Sequence, residues 1–306
     1  MKKLWIYMAV PMTLLNGCQV RPAQAAPTVN TVAERETGQE QTIPVEQKVP
    51  QNQQGMAAET IKEAAFHGST VTIAKSQKTR AADITEEEIE AMVRTAASDL
   101  KTVVKNGQTV VLKPNLVQMI VDSTGELLDQ EVNGITVDWR VTKAVLKMVR
   151  ELNPDGTVYI MEGSATGPTR EVMKYFHYTP DYMEGVDGFL CLEEDCGAWQ
   201  DFDAPEVVKV ELPDGLLHKT YYFNRILYEA DVVISIPTLK TSSGVVVTGG
   251  IKNVSIGTPP GNLYGVAPDN PSKTAMVSHK ITDGELDRWI YDYYMARPLN
   301  YVIVDG

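Results

Sequence analysis

The chain has 306 residues, and the portion beyond residue 65 is long enough to bury a large core without disulfides or a structural metal. Its 28 Lys and Arg stand against 40 Asp and Glu, a net charge of −12, which excludes a protein built to grip nucleic acid, since phosphate binding needs a clustered basic surface. Three cysteines supply neither a disulfide framework nor the four thiolates of an iron–sulfur cluster.

The first predicted element is an address. Lys2 and Lys3 precede a short apolar run over residues 4–15, too short to span a bilayer, which takes about 20 residues. The run ends in Leu15-Asn16-Gly17-Cys18. This resembles the bacterial lipoprotein signal, in which a cysteine after a small residue becomes a lipid-bearing N-terminus. Residues 1–17 are then a signal peptide, and palmitate-type acyl chains on Cys18 anchor an exported protein to a membrane outside the cytoplasm. The alternative is an ordinary cleaved signal peptide in which Cys18 is incidental. Residues 18–65 follow as a tether. From Gln19 to Ala65 there is no aromatic residue, and Pro22, Pro27, Pro44 and Pro50 are mixed with eight glutamines, so the segment cannot bury enough apolar surface to offset its ordering entropy.

From residue 66 to 306 short β-branched runs alternate with helical periods. Strands are predicted over 70–74, 109–112, 157–161 and 231–236, a more alternating and edge-like one over 207–212, and a last one over 301–304. Thr85 reads as the N-cap of a helix, with Glu86, Glu87 and Glu88 placed against its dipole. Ile89, Met92, Val93, Ala96, Leu100 and Val103 carry that helix at helical spacing. A second helix is marked by Val141, Ala144, Val145, Met148 and Val149 and closed by Asn153-Pro154-Asp155-Gly156; a short third runs from 170 to 176. Apolar strands separated by helices imply an α/β fold, an open, mostly parallel sheet with helices on both faces.

Ligands of such sheets bind outside the carboxyl ends of the strands. Those ends carry Lys113-Pro114-Asn115, Glu162-Gly163-Ser164, Pro237-Thr238-Leu239-Lys240-Thr241 and Asp305-Gly306. If the sheet is parallel, two lysines, an amide and two carboxylates meet on one rim. The densest group is Thr248-Gly249-Gly250-Ile251-Lys252-Asn253, where paired glycines allow close backbone approach or a positive φ, a helix start points N–H groups at an anion, and Lys252 adds a mobile charge. The spacing is not that of a Walker loop. The plainer reading is a turn into a buried helix with an exposed lysine. His279 is a candidate general base. His67, His177 and His218 lack local metal-binding spacing, and Cys191 with Cys196 fits a disulfide or free thiols better than a metal. No metal site is expected. Asp181, Asp187, Glu193, Glu194 and Asp195 read as a solvated acidic face.

These phrases together resemble a bacterial and archaeal family, domain of unknown function 362. The resemblance runs over residues 69–306 in order: Lys113-Pro114-Asn115, then Lys240-Thr241, Thr248 to Asn253 with Gly257, His279, and Asp305-Gly306. Members carrying ferredoxin-like modules or export signals imply redox-linked or periplasmic roles, and hence a redox partner, although this chain has no iron–sulfur motif and its cofactor is unknown. Ser242 stands where members commonly have histidine, which weakens a two-histidine metal site. Members also continue past the Asp-Gly pair, so the chain is expected to be truncated on a buried central strand. The lysine, Gly-Gly-x-Lys and histidine arrangement is similar, more loosely, to the nickel-pincer lactate racemases. Two functions fit. One is an extracytoplasmic enzyme in which Lys113, Lys240 and Lys252 neutralise a small anionic ligand, Asn115 and Asn253 orient it with Thr241, Thr248, Gly249, Gly250 and Asp305 nearby, and His279 or Glu162 moves protons. The other is a non-catalytic ligand-binding lipoprotein.

Overall fold

The computed structural model describes residues 71–117, 119, 127–165, 167–242, 244–268, 270, 276–277 and 283–306. Residues 1–17, read as a signal peptide, Cys18, residues 18–65, read as a tether, and His279 lie outside the described residues.

Five parallel strands make the sheet: β1 (Thr109–Pro114), β2 (Thr157–Glu162), β3 (Gly188–Cys191), β6 (Val232–Ile236) and β9 (Tyr301–Val302), in the order β3-β2-β1-β6-β9. From β1 the chain winds outward through β2 to β3, then returns to lay β6 on the other side of β1. The topological switch point therefore falls between β1 and β6, where open α/β sheets leave a crevice at the carboxyl ends. Successive residues alternate between two cores, as strand geometry demands. Val110, Leu112, Val158, Ile160, Val232, Ile234 and Ile236 face one core, and Val111, Met161 and Val233 face the other.

The first core is covered by α1 (Glu86–Ala96), α2 (Trp139–Leu152) and α3 (Thr169–Tyr175). Thr85 caps α1 as its sequence implies. Its hydroxyl accepts from Glu88 N at 3.2 Å while the Glu88 carboxylate accepts from Thr85 N at 2.9 Å, the reciprocal capping box. The predicted run to Val103 is broken after Ala97, and Leu100–Thr102 is a separate 3₁₀ turn. α2 starts at Trp139 behind the N-cap Asp138 and ends at Asn153, whose fully buried amide bonds both backbone groups of Gln108 and so ties the helix end to the entry of β1.

The second core is covered by α5 (Gly250–Gly257) and α7 (Glu285–Ala296), with the short helix α4 (Arg225–Glu229) and a hairpin of β4 (Val207–Glu211) and β5 (Thr220–Asn224). The 207–212 segment is therefore not an edge of the parallel sheet: β4 pairs antiparallel with β5 in a sheet of its own. A smaller hairpin, β7 (Lys240–Thr241) and β8 (Val247–Thr248), leads into α5, and α6 (Gly261–Tyr264) follows it. The predicted strand over 70–74 is absent from its described part. Residues 71–76 form no ladder and leave Val71 and Ile73 exposed, because β-branched side chains make a strand only where a sheet edge and a core face receive them. β9 has β6 on one side and stands at the edge of the described sheet rather than in its centre. No helix among the described residues is long and apolar enough to cross a membrane.

Candidate functional site

The carboxyl ends of β1, β2 and β6 share one polar network. Lys113, the fifth residue of β1, is fully buried, and its ammonium lies 2.5 Å from Glu162 Oε1 at the end of β2. It also donates to the Pro114 carbonyl at 2.7 Å and approaches Asn253 Oδ1 at 3.4 Å. Glu162 is equally enclosed. Oε1 accepts from Gly163 N at 2.8 Å and Oε2 from Leu116 N at 2.9 Å. Burial pulls the Lys113 ammonium below the ordinary lysine range, and the Glu162 charge pushes back. Gly257, at the end of α5, makes room for this pair: a Cβ there would lie 2.6 Å from Lys113 Nζ.

Asn253 of α5 joins this inner pair to an outer one. Its Nδ2 donates to the Lys113 carbonyl at 2.9 Å and to Ser235 Oγ at 3.1 Å, while its Oδ1 accepts from Asn115 Nδ2 at 3.0 Å. That bond turns the Asn115 oxygen toward Lys240, whose Nζ donates to it at 2.6 Å and also to the Ile135 carbonyl. Lys252 donates to Ser242 Oγ at 2.8 Å. Lys240 and Lys252 are half-buried, and among the described residues neither has a carboxylate within ion-pairing distance. Burial, reinforced by the Lys252 charge and offset in part by Glu162, brings the Lys240 ammonium down to about 7; burial also lowers that of Lys252.

The rim thus gathers Lys113, Asn115, Glu162, Lys240, Lys252 and Asn253, but not in the roles their positions in the sequence imply. Lys113 is neutralised by Glu162 and faces no solvent. Glu162 has both oxygens occupied, so it holds Lys113 rather than standing open to a ligand. Lys252 is half-buried, not exposed. Thr241 is exposed, and Thr248 lies buried opposite Lys240 across the β7–β8 hairpin. Gly249 caps α5 at φ −135°, an extended conformation that demands no glycine, and Gly250 is required by packing, since a Cβ there would strike the Val302 side chain at 2.6 Å. Asp305 follows β9 and accepts the Asp138 N–H at 2.9 Å at the start of α2; burial raises its carboxyl to about 6 against that hydrogen bond.

Four contributors escape a reading by strand ends. Ser235 orients Asn253, Ser242 holds Lys252 and Gly257 accommodates Lys113. Val117 sits at φ 56°, an outlier for a β-branched residue, with its carbonyl taking Ala165 N at 2.7 Å and Ser164 Oγ at 3.1 Å. Gly257 carried a signal in the sequence as part of the glycine motif, and Ser242 as a departure from the family's histidine, though neither pointed to its role here. Away from the rim, Cys191 and Cys196 are buried free thiols, both pushed up to about 12 by burial. The acidic residues near them are not simply a solvated face: Glu193 accepts the Thr169 N–H at the start of α3, and Asp195 that of Cys191. Among the described residues, no group of three or more His, Cys, Asp and Glu side chains could hold a metal ion.

Fold and rim define an open parallel α/β protein with a buried lysine–carboxylate–amide network at its switch point. The chain belongs to the family described as Domain of unknown function (DUF362), whose sequence model matches residues 110–306. No curated protein matches it. Among solved structures, that of the lactate racemase apoprotein from Thermoanaerobacterium thermosaccharolyticum is similar at 14% sequence identity with a TM-score of 0.41, the match covering 77% of this chain and 54% of that one. The chain therefore spans about half the length of that protein.

Proposed function

We propose that the protein binds a small organic anion at the carboxyl ends of β1 and β6, with Lys240 and Lys252 as cationic contacts and Asn115 as the orienting amide. The observation that carries this reading is the pair of half-buried lysines whose partners among the described residues are neutral oxygens. Burying an ammonium without a counter-ion is costly, and a ligand carboxylate or phosphate supplies the missing charge where two lysines otherwise repel. The net charge of −12 sharpens this effect, since a local cluster of positive charge in an acidic chain draws anions to one place. Lys113, Glu162 and Asn253 are the frame that holds Asn115 and, through it, Lys240.

Titration calorimetry with phosphate and a series of mono- and dicarboxylates tests the reading. Binding is expected, with proton uptake at neutral pH because a bound anion favours the charged form of Lys240, and Lys252→Ala is expected to weaken it at least about tenfold. Absence of binding across the series rejects the site. An enzyme and a carrier use these contacts alike; recovery of the bound anion chemically unchanged after incubation favours the carrier.

The address proposed for this activity is outside the cytoplasm, on lipid attached to Cys18. Its support is the Leu15-Asn16-Gly17-Cys18 sequence behind a short apolar run. Mass analysis of the mature N-terminal peptide decides it: a diacylated Cys18 is expected, and an unmodified peptide beginning at Met1 refutes it.

A further inference from the structure

We infer that Lys240 is an amine nucleophile that forms an imine with the carbonyl carbon of a 2-oxo acid whose carboxylate is held by Lys252. The inference rests on the anion-binding reading of the same rim and adds a covalent step and a substrate class to it: near neutral pH Lys240 exists in both forms, the ammonium contacting an anion and the amine being the form that attacks a carbonyl.

The hydrogen bonds around Lys240 carry the argument. Its nitrogen meets two acceptors, Asn115 Oδ1 and the Ile135 carbonyl, both uncharged. A neutral amine satisfies both with its two hydrogens and keeps its lone pair free, whereas an ammonium would hold a third proton with no partner among the described residues. The Asn115 side chain cannot reverse this, because its Nδ2 is committed to Asn253 Oδ1 and its oxygen must face Lys240. Burial opposes a charge on Lys240 and the Lys252 ammonium acts in the same direction, while the nearby Lys113 and Glu162 charges oppose each other. A desolvated lysine beside another cation is the arrangement that makes an amine nucleophilic at neutral pH. The neighbouring lysines differ in kind. Lys113 is consumed by Glu162, and among the described residues Lys252 has a single neutral partner in Ser242, which leaves donors for a carboxylate. An amine beside a carboxylate-binding ammonium selects a compound with carbonyl and carboxylate close together.

In the step itself the Lys240 lone pair forms the C–N bond while the carbonyl π pair moves to oxygen, which takes up a proton. The nitrogen gives up a proton, and the resulting carbinolamine loses its hydroxyl as water as the C=N bond forms. The sum is amine plus ketone giving imine plus water, and no oxidant or reductant is consumed.

The test uses the full chain with pyruvate and cyanoborohydride at neutral pH, followed by peptide mapping, with calorimetry of pyruvate and of lactate alongside. One reduced adduct per chain on Lys240 is expected, forming more than about tenfold faster than at exposed Lys101. Lys240→Arg is expected to lose the adduct, since a guanidinium has no free lone pair at neutral pH. Lys252→Ala is expected to slow labelling at low pyruvate and to move its pH midpoint upward while the urea midpoint stays at the parent value, which separates loss of the Lys252 charge from a loosened fold that would also re-expose Lys240. Adducts spread over exposed lysines, or a stable protein that binds both anions without labelling at Lys240, overturn the inference and leave the anion site standing. If neither anion binds, the anion-binding reading itself falls.

Discussion

Lys113 and Glu162 form a charged pair enclosed beneath the rim, where neither meets solvent. Both are buried, and each satisfies the other together with backbone groups of the β1 and β2 exits. Such a pair contributes little net stability over an apolar substitute, but removing one member leaves an uncompensated charge in the interior. Glu162→Gln is therefore expected to cost roughly 3–5 kcal/mol at neutral pH, read from the urea midpoint at constant slope. The loss should shrink in alkaline solution, because burial already lowers the Lys113 ammonium and a neutral amine there is cheaper to keep. Lys113→Met combined with Glu162→Gln should cost less than Glu162→Gln alone. A single-variant loss below about 1 kcal/mol would show that water reaches the pair. Gly257 tests the same packing from the other side. Gly→Ala inside a helix normally gains up to about 1 kcal/mol, yet here the new methyl would meet Lys113 Nζ and Cε at 2.6 and 2.7 Å. Gly257→Ala should lower the urea midpoint, and a raised midpoint would mean that Lys113 moves aside freely.

Asp305 links two elements, since its carboxylate takes the backbone N–H of Asp138, the residue that caps α2. Its carboxyl rises from 3.8 to about 6 in the folded chain. Between those values the folded state holds more protons than the unfolded one, so this group's contribution to stability is full at the acid end and is lost as pH rises to about 6. Asp305→Asn keeps an acceptor for Asp138 and removes the titration. The variant should thus gain on the parent chain by up to about 3 kcal/mol between about pH 4 and neutrality. Ion-paired Glu90 and Glu151, lowered by Lys147 and Arg94, lose stability in acid in both proteins and cancel in that comparison. Unfolding curves at the two pH values decide the matter, and a constant difference would place Asp305 in open solvent. Elements with a local signature were legible in the sequence. Thr85 with Glu88 announced α1, Asn153 ended α2, and the continuous apolar runs of β1, β2 and β6 declared strands covered on both faces. β4 was legible as a strand but not as half of a hairpin, because alternation reports one buried face without saying which sheet lies beneath it. Residues 70–74 carried the composition of a strand and lacked only a neighbour, which composition cannot supply.

For the whole molecule, the rule that ligands meet open sheets at strand ends was enough to pick out most of the rim. It could not say which lysine is spent. Lys113 finds Glu162 49 positions away and Asn253 140 positions away, and only the order of strands decides that Lys240 is left with neutral oxygens. That residual charge couples folding, protons and ligand. The Lys240 ammonium falls from 10.5 to about 7 on folding. In that window the unfolded chain holds more protons, so the penalty for burying the charge is full below about 7 and is relieved as pH rises. The parent chain should accordingly gain about 2 kcal/mol of unfolding free energy between about pH 7 and pH 9, and Lys240→Met should gain little. A bound anion stabilises the ammonium and returns its titration toward the ordinary range. Saturating anion should therefore raise stability most at the lower pH, flattening the parent's rise to below about 1 kcal/mol. Guanidinium unfolding at both pH values, with and without the anion that calorimetry identifies, measures all of these together. An anion that binds yet leaves the rise unchanged would have to bind away from Lys240, and the rim would lose its claim to the ligand.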